Sequence, residues 1–274
     1  MKQIFFALTL SSLLFACKKE SSKPTSPSIK TPTTVEDTTR KTADSVSCVD
    51  NPKINFSCVG TPVGKLSYCI KDIDGNVYKT VIIGKQQWMA ENLKVTRYND
   101  GTVIPNVKES VVWRNLDSSA AWCYYNNDES FNEKNGKLYN WFVVNKFENG
   151  NKNVCPIGWH IPSTEDWKVL VSNLKSIYKI DSLVTYSLKE VRNSSWISHN
   201  ENATNTSLFT AIPTGYRNNT GDFDETDLGN WTSWWTVSSP YSDFAYCFYI
   251  GYGNMSGLTG QVINNARPLR CIKD

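Results

Sequence analysis

Asp222, Asp224, Glu225 and Asp227 crowd into the segment Gly221–Gly229, and carboxylates this close together suggest three chemistries. Glycoside hydrolysis needs two carboxylates about 5–10 Å apart, one with a raised pKa. Calcium binding needs oxygen ligands at set spacings, and a solvated loop needs neither. Charge this dense on one loop favours a solvated surface first and a calcium site second, ahead of an acid–base pair. The twelve-residue calcium loop is not matched, because Thr226 stands where a third ligand belongs and no glycine follows it. Zinc has no support either: no CxxC pair or Cys/His cluster occurs, and His160 and His199 lie far apart in sequence. A Gly-x-Ser-x-Gly elbow and a phosphate-cradling glycine loop are both missing. His160 has no nucleophile motif beside it and is expected to pack or hydrogen-bond within the turn Gly158–Pro162. No catalytic residue, metal or cofactor is expected.

Binding is the better-supported chemistry. Trp231, Trp234, Trp235, Tyr241, Tyr246 and Tyr252 are interleaved with Ser, Thr, Asn and Gly. Flat aromatic faces beside amides and hydroxyls recognise sugars or protein surfaces. The competing expectation for each ring is a place in the core of a loop-rich fold. Arg217, in Gly215-Tyr216-Arg217, is as well suited to internal hydrogen bonds as to a ligand.

The elements that must position these residues are organised around Cys155–Trp167. A turn carrying Trp159 is followed by Pro162 and then by Ser163, a good N-cap, with Asp166 as a capping-box partner weaker than Glu or Gln. Glu165 and Asp166 suit the positive end of the helix dipole. Trp167, Leu170, Val171, Leu174, Ile177 and Tyr178 recur at helical spacing, so this helix has one apolar face. Leu138, Trp141, Phe142 and Asn145 predict a second helix over 137–147. Asp74-Gly75-Asn76 predicts a turn feeding a strand over 77–83, and further strands are expected over 231–237, 244–251 and 267–272.

The chain opens with Met1-Lys2 and a mostly apolar run, Ile4–Phe15, too short to span a bilayer as a permanent helix. Leu14-Phe15-Ala16-Cys17 resembles a bacterial lipobox, in which cleavage leaves a cysteine that carries lipid. Residues 1–16 are thus expected to be a lipoprotein signal peptide. Cys17 and the Ser/Thr/Pro-rich segment 17–47 then form a lipidated, disordered tether reaching about 30 Å on average. No acidic residue directly follows Cys17, which favours the outer membrane or cell surface, anchored by lipid such as palmitate. Roughly 225 residues remain, enough for a single domain with its own core. The net charge of +3 is too small to argue for a nucleic-acid partner. An exported chain meets an oxidising compartment, where disulfides are the default for Cys48, Cys58, Cys69, Cys123, Cys155, Cys247 and Cys271. Their number is odd and their spacing does not settle connectivity. Cys48, Cys58 and Cys69 are candidates to staple an N-terminal extension over 48–68.

Several ordered stretches carry a resemblance to a known family. They are Asp72–Tyr78, Ile83-Gly84, Gln87–Leu93, Trp122–Asp128, Gly136–Trp141, Cys155–Trp167, Gly215–Arg217 and Arg270–Asp274. Together they resemble the FISUMP family (Fibrobacter succinogenes major paralogous domain), over about residues 69–274. Gln87 departs from the pattern, since members often carry cysteine beside the Trp-Met pair, and this leaves Cys69 or another thiol without a partner. The resemblance implies an α+β, C-type-lectin-like fold with two helices and antiparallel strands, loop-rich and distantly related to formylglycine-generating enzymes. It implies a Cys155–Cys271 disulfide and brings no established reaction. The Glu-Pro-Asn calcium motif of sugar-binding C-type lectins is absent, and Cys247 and Cys271 lie outside any motif for formylglycine-type oxidation, so a buried disulfide is the plainer expectation for them. In the related fold the long loop region supplies the recognition surface. That places a binding site over 217–252, with Trp234, Tyr241, Asp222 and Asp224 as its expected members. The expected function is non-catalytic binding of a glycan or an envelope protein. A display module without a small ligand is the alternative, and an enzyme is the more distant one.

Overall fold

The computed structural model describes residues 63–191, 195–197 and 200–274. The expected signal peptide and tether, with Cys17, Cys48, Cys58 and His199, lie outside the described residues.

Walking the chain, β1 (Gly64–Leu66) is followed by a short pair, β2 (Ile70–Lys71) and β3 (Val77–Tyr78). Asp72 builds the turn between them: its carboxylate accepts from the backbone N–H groups of Asp74 and Asn76 and from the Tyr78 hydroxyl at 2.6 Å. Gly75, at φ 89°, takes the left-handed conformation that the turn needs. The strand expected over 77–83 is two strands. Its second part, β4 (Thr80–Ile83), leaves β3 to pair with β1 and with β5 (Gln86–Met89).

Next come α1 (Ser110–Arg114), β6 (Trp122–Cys123), α2 (Asn132–Asn135) and β7 (Leu138–Tyr139). The helix expected over 137–147 is absent. Leu138 and Tyr139 pair with Cys123 and Trp122 instead, and one 3-10 turn follows at Trp141–Val143. Competition for the backbone explains the difference. The Asn140 side chain accepts from Ala121 N–H and donates to Ser119 O, while Trp141 N–H is drawn to Ile263 O. Asn140, Val143 and Val144 have no strong helix preference to set against these bonds.

β8 (Trp159–His160) leads into α3 (Thr164–Tyr178), which has the expected capping box: Ser163 Oγ accepts from Asp166 N–H, and Asp166 Oδ2 accepts from Ser163 N–H at 2.8 Å. Trp167, Leu170 and Leu174 are buried, whereas Ile177 is exposed at the far end of the stripe. α4 (Asp181–Leu188), β9 (Thr232–Trp235), β10 (Phe244–Ile250), β11 (Ser256–Val262) and β12 (Ile272–Lys273) complete the fold. The final strand is shorter than expected. Pro268 has no N–H to donate, and upstream of it Ala266 and Arg267 make only isolated bridges, to Arg217 and Tyr139.

Every pairing between these strands is antiparallel. The larger sheet runs β1-β4-β5-β12-β8, so the last strand of the chain is inserted between β5 and β8. The smaller runs β11-β10-β9. α3 joins the two through Trp167, whose ring lies 4.7 Å from Trp88 of β5 and stacks on Phe248 of β10 at 4.4 Å. The protein is therefore α+β and rich in loops. Among the described residues, no helix is long and apolar enough to cross a membrane.

The Cys155–Cys271 disulfide is present and ties the turn before β8 to the start of β12. Cys69 is also disulfide-bonded, so of the two alternatives raised by Gln87 it is another thiol, not Cys69, that goes without a partner. Among the described residues the free thiols are Cys123 and Cys247, both buried. Cys247 thus lacks the disulfide expected of it.

Candidate functional site

The expected ligand-binding residues do not come together. Trp234 is a correction: it has no exposed surface, and its indole N–H is committed to Asn92 Oδ1 at 2.8 Å. Strand alternation is the reason, since Trp234 shares a face with Phe248 across the β9–β10 pair and that face meets Trp167. Asp222 and Asp224 are exposed and occupied locally: Asp222 accepts from Thr220 Oγ1 at 2.6 Å, and Asp224 from Thr226 N–H and Oγ1. Tyr241 is 75% exposed and lines a shallow groove of about 920 Å³ with Phe147, Trp141, His160 and Asp274. His160 does not bond within its own turn. Its Nδ1 meets Asp274 Oδ1 at 2.6 Å, holding the last residue beside the start of α3.

A second cavity is a cleft of about 380 Å³ that combines aromatic rings with polar groups. It lies on the face of the smaller sheet opposite Trp234 and Phe248, beside the buried Trp235 and Ala245. Position 233 on β9, 247 and 249 on β10, and 259 and 261 on β11 alternate with the core-facing residues, so Ser233, Cys247, Tyr249, Thr259 and Gln261 line one surface. Tyr216, Asp227 and Trp231 close it from the loops that precede β9. Trp231 and Tyr249 rings stand 6.0 Å apart and tilted. Gly251 permits this, because a Cβ there would fall 2.5 Å from the Trp231 ring.

Arg267 forms the floor. Its Nη2 donates to Gln261 Oε1 at 2.8 Å and its Nη1 to Ser233 Oγ, so one guanidinium spans β9 and β11. The Tyr216 ring covers it at 4.5 Å and Trp235 lies 5.5 Å away. Its backbone is fixed by reciprocal bonds with Tyr139. Asp227 is the contrasting group. Burial raises its pKa, repulsion from Asp224 adds to this, and Arg267 only partly offsets it. Cys247 is protonated, since burial pushes the thiol up.

Arg217 is settled as internal. Its guanidinium donates to Gly221 O, Val107 O and Lys108 O and lies 4.6 Å from the Trp113 ring. Sequence reasoning named Trp231 among the aromatics and Asp227 among the acids but did not join them. Tyr249, Thr259, Gln261 and Arg267 were missed; only Tyr249, in the alternating stretch that becomes β10, had a sequence signal in the period of two. Among the described residues, no group of three or more His, Cys, Asp and Glu side chains could hold a metal ion.

No curated protein and no solved structure matches the chain. Residues 81–273 match the Fibrobacter succinogenes major domain, well over half of the sequence, and the chain belongs to that family.

Proposed function

We propose that this chain is a lipid-anchored recognition protein of the bacterial cell envelope, held at the outer membrane or cell surface through Cys17. Its folded domain binds a glycan in the Trp231–Arg267 cleft and catalyses no reaction. The observation that carries the binding reading is the cleft lining itself. Tyr216, Trp231 and Tyr249 offer ring faces, and Thr259, Gln261 and Asp227 offer hydroxyl, amide and carboxylate groups around them. Sugars are recognised by this pairing of apolar ring faces with edge-directed hydrogen bonds. Support for a non-catalytic role comes from the thiols: Cys271 is tied up in a disulfide, and Cys247 is buried and protonated. The anchor rests on the short apolar run that ends at Cys17 and the polar tether behind it. The C-type-lectin-like architecture belongs to the same proposal, supported by a helix packed between antiparallel sheets and by the family resemblance.

Thermal unfolding of the intact protein against a panel of cell-wall and plant-type glycans tests the binding reading. A ligand at 100 times its Kd adds about 2.7 kcal/mol of stability, visible as a shift of a few degrees. Trp231→Ala should abolish that shift with no turnover of any sugar. Labelling cells with radioactive palmitate tests the anchor, since Cys17→Ala should remove the label from the protein. A second reading, capture of an envelope protein, is favoured by one observation: Phe147 and Tyr241 stand 98% and 75% exposed on the wider groove. Co-purification of an envelope protein that is lost in Phe147→Ser, with no glycan shift, would select it.

A further inference from the structure

Asp227 sits half-buried in the cleft, and its carboxylate makes no hydrogen bond or ion pair with any described side chain or backbone group. Its backbone, by contrast, is fully engaged: Asp227 N–H donates to Asp224 O, and its carbonyl accepts from Asn230 and Trp231. The loop therefore holds the carboxylate in place without satisfying it. A partly desolvated carboxylate with no internal donor stays open to a donor that a ligand brings.

The nearest cation does not fill that role. Arg267 lies far enough from Asp227 that no salt bridge forms, and both of its terminal nitrogens are given to Ser233 and Gln261. The same commitment makes Arg267 a poor receptor for an anionic ligand, since its remaining Nε is buried without a partner. Three rings, Tyr216, Trp231 and Tyr249, present electron-rich faces to the space beside Asp227. Asp224, from the same loop, adds negative charge that is felt at both Tyr216 and Asp227. The ring faces and the carboxylates favour a cation, and the N–H groups of Arg267 are not free to receive an anion.

We propose that the ligand of this cleft carries an amine and presents its ammonium to Asp227, as an amino sugar with an unacetylated nitrogen would. This rests on the glycan reading above and narrows it. The ammonium supplies hydrogen-bond donors to the open carboxylate and meets the ring faces, while the sugar ring stacks on Trp231 or Tyr249. A neutral sugar could supply donors but no charge, and a uronic acid would be repelled.

The test is titration calorimetry of the intact protein with matched oligomers of glucosamine, N-acetylglucosamine, glucose and glucuronic acid. The glucosamine series should bind about tenfold tighter than the glucose or N-acetylglucosamine series, with the preference weakening in high salt. Asp227→Asn should bring the ratio close to one. Asp222→Asn removes the same charge from the loop at a residue outside the cleft, and should keep the preference. Equal binding of all series, or tightest binding of the acidic one, overturns the amine assignment and leaves the glycan reading standing. A preference that survives Asp227→Asn overturns the role of Asp227. No binding by any series overturns both readings together.

Discussion

The chain buries several cationic side chains and satisfies them with carbonyls and rings instead of carboxylates. Arg270 is the extreme case. It is almost wholly buried, its Nε donates to Asn92 Oδ1 at 3.1 Å, its terminal nitrogens reach Phe209 O and Thr210 O, and Phe209 covers it at 4.2 Å. Burial pulls its pKa down to about 9, so it remains charged at neutral pH. Because Asn92 Oδ1 also accepts from Trp234, removing the guanidinium strips donors from a buried amide and two carbonyls at once. Arg270→Ala should lower stability by about 3 kcal/mol, read as a shift in the denaturant midpoint. Asp227 behaves oppositely. Burial first and Asp224 second raise its pKa, so its ionised form weakens the folded state. The folded-state pKa lies above the unfolded one; the stabilising, protonated form is therefore complete below the ordinary carboxylate range and is lost as pH rises through the raised value. Asp227→Asn should then raise the melting temperature at neutral pH and make no difference near about pH 3, where Asp227 is protonated in both states. A group that weakens the fold and satisfies nothing inside it is what a binding site leaves behind, since ligand contacts are not selected for stability.

At the scale of elements, α3 is the piece that joins the two larger sheets, and it was the most legible part of the chain. Its signals are local: Ser163 and Asp166 close the N-terminus, and Trp167, Leu170 and Leu174 repeat at helical spacing. Ser163→Ala should cost about 1 kcal/mol, as loss of a cap usually does. Trp167→Ala should cost about 3–5 kcal/mol, because the ring touches Trp88, Phe209, Trp234 and Phe248 together. Chemical denaturation of both variants checks the ratio. The expected helix over 137–147 failed for a non-local reason, the capture of its backbone by β6 and Ile263. β11 was not foreseen either. Its sequence Ser-Gly-Leu-Thr-Gly-Gln-Val has two glycines and no clear alternation, and it becomes a strand by pairing with β10 along all seven residues. The cleft was illegible for the same reason, since register alone brings Thr259 and Gln261 beside Cys247. Trp234 misled because Trp235 follows it: two large rings in succession conceal which face is the core, and only the partner strand reveals it.

For the molecule as a whole, the arrangement separates what closes the fold from the face that could bind. The larger sheet cannot be completed until the last residues arrive, because β12 enters between β5 and β8 through Ile272, which pairs with both Trp88 and His160. The Cys155–Cys271 disulfide, spanning 116 residues, restrains that late step by holding the two ends of a long loop together. Closing loops of this length removes much of the freedom of the unfolded chain and is worth about 2–4 kcal/mol. None of the cleft residues belongs to the larger sheet; they come from β9, β10, β11 and the loops around them. The double variant Cys155→Ala/Cys271→Ala should therefore lose about 2–4 kcal/mol of stability while keeping its ligand affinity within about twofold at a temperature where it is folded. Denaturant unfolding and titration on the same preparation measure the two quantities. A loss of affinity as large as the loss of stability would mean that the sheets do not act independently, and that the cleft depends on the closure of the chain as well as on the register of β9, β10 and β11.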